Sequence, residues 1–272
     1  MRLSAGRSLA GVFTLALLAQ TLSAAAVTFS SASDYDSNFY ETVSPSLMGW
    51  SSGGYLQKTG TGAAAAFYNT ASTGGAGGSG GTAAGSPLNK FGEFTIQADF
   101  STGAFGAANS VGFYTKVNDA RSSGYAAIIR LTSATTADFR VFDSNGTPAN
   151  AGVGTQLGGS GGTQTFTTTG SFAIDTFYTF KLTVTDVGAT VRFDASLWNT
   201  VTGTQIGPTL TQSDASSAVT GLGQVGLRLG ESVRLDNFDV GATIPEPGSY
   251  ALMAAGGTLG LAGLLRRRRT VR

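Results

Sequence analysis

Residues 27–241 predict an all-β fold, an antiparallel β-sandwich of the jelly-roll kind. Three observations carry this. Apolar side chains recur at every second position in segment after segment, the period of a strand with one buried face. The segments are separated by turn chemistry. No stretch of the body repeats with the helical period of about 3.6.

The alternation is clearest from Phe91 onward. Phe94, Ile96, Ala98 and Phe100 alternate with Thr95, Gln97 and Asp99. Val111, Phe113, Thr115 and Val117 share a face, as do Tyr125, Ala127, Ile129 and Leu131. Phe139 and Val141 alternate with Asp138 and Arg140. Tyr178, Phe180, Leu182 and Val184 oppose Thr179, Lys181 and Thr183, and Val191, Phe193, Ala195 and Leu197 oppose Arg192, Asp194 and Ser196. Val225, Leu227 and Leu229 oppose Gln224 and Arg228.

The breaks read as turns. Asp143-Ser144-Asn145-Gly146 is a strong turn signal, and Asp186-Val187-Gly188 and Thr202-Gly203 read as short hairpin loops. The Gly/Ser-rich stretches Thr73–Ser86 and Gly152–Thr163 cannot supply a core and are expected to be long surface loops. The whole body is expected to form one domain.

Composition narrows the function. The 272 residues include neither Cys nor His, so Ser-His, Cys-His, thiolate and His-metal chemistry are all excluded. Charged residues make up only 12% of the chain, and glycine is unusually frequent at 40. The formal charge of +1 conceals an uneven distribution: 7 of the 17 basic residues lie in the two terminal segments. Residues 27–244 hold 10 basic and 15 acidic residues, a net charge of −5. Such a body is a poor nucleic-acid binder, because phosphate contacts need clustered Lys and Arg, so nucleic acid is not an expected partner. Gly74-Gly75-Ala76-Gly77-Gly78 lacks the Lys-Ser/Thr of a phosphate loop and reads as a flexible segment.

The two ends carry export and sorting features. Arg2 and Arg7 precede the apolar run Leu9–Leu22, and Ala24-Ala25-Ala26 offers small residues for cleavage after Ala26. Residues 1–26 are therefore expected to be a signal peptide, helical while in the membrane, with the Sec export machinery as partner. At the other end, residues 242–272 contain Pro245-Glu246-Pro247, an uncharged Gly/Ala/Leu stretch from Gly248 to Leu265, and the block Arg266, Arg267, Arg268 and Arg269. The prolines end any preceding element. The stretch is just long enough for a single transmembrane helix, and the arginines hold their end in the cytoplasm.

This tail resembles the PEP-CTERM sorting signal of Gram-negative bacteria that make exopolysaccharide. The resemblance implies recognition by a membrane-embedded exosortase that cleaves near Pro245-Glu246-Pro247. It implies a transient inner-membrane anchor and a final place at the cell surface or in the extracellular matrix.

The body opens with Ser33-Asp34-Tyr35-Asp36-Ser37-Asn38-Phe39-Tyr40, Gly49-Trp50 and Gly53-Gly54-Tyr55-Leu56. It closes with Gly223–Leu229 and Val233-Arg234-Leu235-Asp236-Asn237-Phe238-Asp239-Val240. These segments resemble the concanavalin A-like lectin/glucanase sandwiches, laminin-G-like bacterial domains among them. In those domains an Asp/Phe segment opens the fold and an Asp-Asn pair lies in the closing strand beside it. The catalytic members place acidic residues at alternate positions of one strand. This sequence has no such ladder, since Glu41, Glu93 and Glu231 lie far apart and Asp194 is flanked by Arg192 and Ser196. A non-catalytic body is therefore expected, with a glycan hydrolase or a purely structural matrix and adhesion protein as the alternatives.

Two kinds of site remain as candidates. Asp34 and Asp36, with Asp236 of the closing strand, are candidates for a structural calcium site, because calcium takes about six to eight oxygen ligands. A solvated polar loop accounts for the same residues. Sugar binding needs an aromatic platform beside amide and carboxylate groups. Trp50, Trp198, Tyr114 and Tyr125 are candidate platforms, with Asn118-Asp119 and Asp143–Asn145 on loops nearby. Trp198 stands on the polar face of its strand.

Overall fold

The computed structural model describes residues 26–41, 48–58, 61–68, 90–144, 153–168, 170, 172–216 and 218–242. It is a sandwich of two antiparallel sheets. The seven-stranded sheet has the order β14-β13-β12-β6-β16-β3-β2. Its strands are β2 (Met48–Ser51), β3 (Tyr55–Lys58), β6 (Phe94–Thr102), β12 (Tyr178–Val187), β13 (Thr190–Asn199), β14 (Thr204–Asp214) and β16 (Val233–Ala242). The nine-stranded sheet has the order β1-β4-β15-β7-β8-β9-β10, with β5 on β15 and β11 on β9. Its strands are β1 (Phe39–Glu41), β4 (Ala64–Tyr68), β5 (Lys90–Phe91), β7 (Ser110–Val117), β8 (Tyr125–Leu131), β9 (Thr136–Asp143), β10 (Thr155–Gln156), β11 (Gln164–Thr167) and β15 (Gly223–Leu229).

The apolar positions expected from alternation meet between the sheets. Phe113 of β7 stacks on Phe180 of β12 with ring centroids 4.9 Å apart, and Tyr125 of β8 meets Phe193 of β13 edge-on at 4.9 Å. Such pairs add to the burial term that dominates folding. The hairpin at Gly188 turns in two residues, and its φ of +64° is one that glycine adopts without strain.

The chain closes on itself. Val27 exchanges both backbone hydrogen bonds with Phe238 of β16, at 2.7 and 3.0 Å. The last strand runs one residue past the expected limit, to Ala242.

Three expectations need correction. The face shared by Val111, Phe113 and Val117 is broken at Lys116, which adopts φ +54° beside a bulge in the β7–β15 pairing. Val117 consequently joins Tyr114 in a second cluster rather than the central core. The segment from Gly152 is not all loop, because β10 and a 3-10 turn at Gly159–Gly162 lie within it. The body also contains a helix. Residues Ala32–Asn38 form α1, capped reciprocally by Ser31 and Asp34. Seven residues are too short to display a period, and the capping box was the available signal.

Candidate functional site

The alternation of β6, β12 and β13, and of β16 on either side of its bulge, buries one face and turns the other outward. Their register lines up the outward side chains in rows across the sheet. One row runs Asp236, Asp99, Thr179, Trp198, Gln205 over β16, β6, β12, β13 and β14. The next runs Gln97, Lys181, Ser196, and the one beyond it Thr95, Thr183, Asp194, Thr211. At about 4.8 Å between strands, the first row is about 19 Å long.

A cavity of about 340 Å³ lies along that row, lined by Gln97, Asp99, Thr179, Lys181, Trp198 and Asn237, with the 199–203 turn closing one end. Its polar groups are fixed in place. The Asp99 carboxylate accepts from Thr179 Oγ1 at 2.5 Å and from Asn237 Nδ2 at 2.7 Å. Asn237 reaches it from a bulge in β16, where its φ is +50°. The Trp198 indole N–H donates to Ser196 Oγ at 2.9 Å. Lys181 Nζ stands 5.6 Å from the centre of the Trp198 ring, a cation–π distance. Beyond the turn a second, threonine-rich hollow of about 440 Å³ includes Thr202, Thr204 and Gln205.

This surface holds an aromatic ring, an amine, amides, hydroxyls and a carboxylate on rigid strands. Such a set matches a ligand with many hydroxyls and apolar ring faces.

Of the carboxylates near the cavity, Asp99 is the one in its lining. Asp236 lies opposite Asp99 across the β6–β16 pairing, outside the cavity lining. Burial, with the nearby Asp99 charge adding, raises its carboxyl above the ordinary value, partly offset by the Asn237 backbone N–H. Glu93 accepts from the Asp186 backbone N–H at 3.2 Å, and Glu231 from that of Gly62 at 3.2 Å. Neither lines the cavity.

The candidate calcium residues are dispersed. Asp34 and Asp36 are two positions apart on α1, so they project about 200° apart around the helix. Asp34 is engaged by Ser30 Oγ at 2.9 Å and the Ser31 backbone N–H at 2.8 Å, and these bonds lower its pKa. Among the described residues no three acidic side chains form a group that could hold a metal ion.

The aromatic candidates divide. Tyr114 and Tyr125 are buried and cannot serve as platforms. Burial raises both phenols, and Tyr125 donates to Asp214 at 2.8 Å. Trp50 is exposed on edge strand β2, its indole N–H donating to Phe29 O at 2.8 Å. Only Trp198 of the four lines the cavity. Asn118 ties its own loop through Ser122, and Asp119 pairs with Lys90 at 2.8 Å. Asp143 ends β9 and Ser144 is buried beside it; Asn145 lies outside the described residues. So do Ala24, Pro245, Glu246, Pro247 and Arg266–Arg269, whereas Ala26 is described and exposed.

Asp99, Gln97, Thr179 and Lys181 were not singled out as site residues from the sequence, and Asn237 stood out only as part of the Asp-Asn pair of the closing strand. Four of them are the polar partners of the alternation, and only strand order shows that they are neighbours.

Residues 243–269 match the PEP-CTERM protein-sorting motif, which marks the chain for export and surface sorting. No curated protein matches the chain. Among solved structures, it is similar to the β-glucanase of Bacillus licheniformis, with 7% identity over 81% of this chain and 99% of that one and a TM-score of 0.48. The carbohydrate binding module CBM66 from Bacillus subtilis is 12% identical over 74% of this chain and 94% of that one, with a TM-score of 0.43. Lectin I from Ulex europaeus, solved with the methyl glycoside of α-L-fucose, is 12% identical over 81% of this chain and 97% of that one, with a TM-score of 0.43.

Proposed function

We propose that the body is a non-catalytic glycan-binding module, which the sorting tail delivers to the cell surface or its matrix. The observation that carries this reading is the row from Asp236 to Gln205, with Trp198 beside the fixed amide and carboxylate of Asn237 and Asp99. The row is longer than any single sugar ring, so the ligand class is an oligosaccharide or polysaccharide, with the cell's own exopolysaccharide as the natural candidate. The N-terminal segment is a signal peptide read by the Sec machinery. The tail spans the inner membrane of a Gram-negative cell until an exosortase cuts near Pro245-Glu246-Pro247.

Binding of the protein to a panel of bacterial exopolysaccharides tests the reading, with and without calcium. Saturable binding that Trp198→Ala weakens at least tenfold, about 1.4 kcal/mol, is the expected result. The variant must melt near the parent temperature. Binding that ignores Trp198 would remove the site from the cavity.

One observation favours hydrolysis instead: two carboxylates, Asp99 and Asp236, face each other across neighbouring strands, and burial raises one of them. Both oxygens of Asp99 are already engaged, however. Release of reducing sugar that Asp236→Asn abolishes would replace binding by catalysis.

A further inference from the structure

The strand directions sort the molecule into two poles. Ala242, the last residue of β16, pairs with Phe94, which also pairs with Val184 of β12. The pole from which the tail departs therefore also carries the β12–β13 hairpin and the chain leading into β15. Val187 and Leu222 lie there, both more than half exposed. At the opposite pole are Val233, the β6–β7 and β13–β14 connections, and Val201 at 87% exposure.

An unusual contact holds the tail pole together. Lys116 is wholly buried, yet its Nζ donates to Asp186 Oδ2 at 2.9 Å and to Gly221 O at 2.7 Å. The Gly221 backbone N–H also donates to Asp186 Oδ2, at 2.9 Å. One lysine thus clamps the hairpin end to the loop before β15, and Val187 and Leu222 are the next residues along each strand of chain. Lys90 and Asp119 form a second ion pair at the same pole. Two of its carboxylates are therefore already neutralised.

Exposed apolar residues occur at both poles, so exposure does not choose between them. The covalent tether does. Only residues 243–247 separate the end of β16 from the apolar stretch that starts at Gly248. Five residues reach at most about 17 Å. The nine residue steps from Ala242 back to Val233 rise about 30 Å along the strand. The tether keeps the tail pole within about 17 Å of the span, and the far pole reaches the bilayer only if the strands lie flat on it.

We infer that, before the tail is cut, the sandwich stands on the lipid bilayer on its tail pole, with Val187 and Leu222 against the membrane surface. This rests on the reading of 248–265 as a membrane span. The cavity of the seven-stranded sheet is then held off the bilayer. Asp99 lies five residues above Phe94, about 17 Å along β6. A polymer can enter it while the protein is still anchored.

The chain has no cysteine, so single labels can be placed without side reactions. Leu222→Cys and Val201→Cys variants of the full-length chain would carry an environment-sensitive fluorophore, in vesicles of neutral phospholipid containing a lipid-attached quencher. Flotation with the vesicles reports the span. The expected result is flotation of both variants, with quenching at position 222 several-fold stronger than at 201. Flotation with quenching equal at the two positions, or stronger at 201, overturns the orientation and leaves the span intact. A chain that does not float removes the span and the orientation with it. Both sites are exposed, so neither label disturbs the core.

Discussion

The outward faces of the two sheets are built in opposite ways. On the seven-stranded sheet, polar residues alternate with buried ones and the outward rows stay open, as in the burial of every second residue from Phe94 to Phe100. On the nine-stranded sheet, the outward face carries a second apolar cluster, formed by Ala65, Phe67, Tyr114, Val117, Ala126 and Ile128. Arg121 covers part of it, stacking on Tyr40 at 4.8 Å and on Phe67 at 5.8 Å. Arg228 is half-buried there, with Ser110 Oγ accepting from its guanidinium at 3.1 Å. One face is thus a second core and the other an open polar surface. A sheet that is apolar on both sides has no free rows to offer a ligand.

The largest effect expected from this contrast is on stability. Phe67→Ala should cost about 3–5 kcal/mol, the range for truncating a buried phenylalanine, and Phe113→Ala between the sheets should cost about the same. Thr183→Ala on the open face should stay within about 1 kcal/mol. Urea unfolding of the three variants measures this. A Phe67 cost near that of Thr183 would mean that the outer cluster is surface, and the contrast would collapse.

The Lys116 clamp comes next in size. Lys116→Met strands the Asp186 carboxylate against buried surroundings. Because Asp186 is one-fifth exposed, the cost should fall toward the lower end of the range for broken buried pairs, about 3 kcal/mol. Removing both charges with Lys116→Met and Asp186→Leu should cost less than the single change, since no charge is left alone. A double variant worse than the single one would mean that the pair itself, and not the cost of an unpaired charge, holds the tail pole.

The same contrast explains what the sequence makes legible. The open sheet is easy to read, because β6, β12 and β13 alternate strictly and each burial assignment follows from one period. The closed sheet is harder. Ala64–Tyr68 and Ser110–Val117 are buried throughout, so burial on these strands does not follow the period of two. Tyr114 is buried in the outer cluster, whereas Tyr125 faces the central core with Ala127 and Ile129. The reversal at Lys116 depends on a backbone φ that no side-chain pattern announces. The site itself was half legible. Trp198 stood out because it breaks an apolar strand from the polar side. Asp99 and Asn237 gained meaning only when strand order set β6 beside β16, although they are 138 residues apart. Likewise, Asp34 and Asp36 would share a face only in an extended chain, and a capping box coils it instead.

The smallest effect concerns charge on the open face. Burial raises the Asp236 carboxyl above its ordinary value of 3.8, and the Asp99 charge adds to the rise. The folded state therefore holds the Asp236 proton more tightly than the unfolded state does. That linkage favours folding below pH 3.8 and is lost as pH rises through the folded value. Near neutrality the ionised group weighs against the fold. Asp236→Asn keeps an oxygen for the Asn237 N–H while removing the charge, so the variant should melt slightly above the parent at neutral pH. The gain should shrink as the solution is acidified toward 3.8. Thermal melts across that interval measure it. A variant that melts below the parent at neutral pH would mean that the charge is used, by a cation or by a ligand group that the row of side chains holds. Repeating the melts with millimolar calcium separates those two. A calcium-dependent rise seen in the parent and lost in Asp236→Asn would place a cation on the open face, at the end of the row farthest from Gln205.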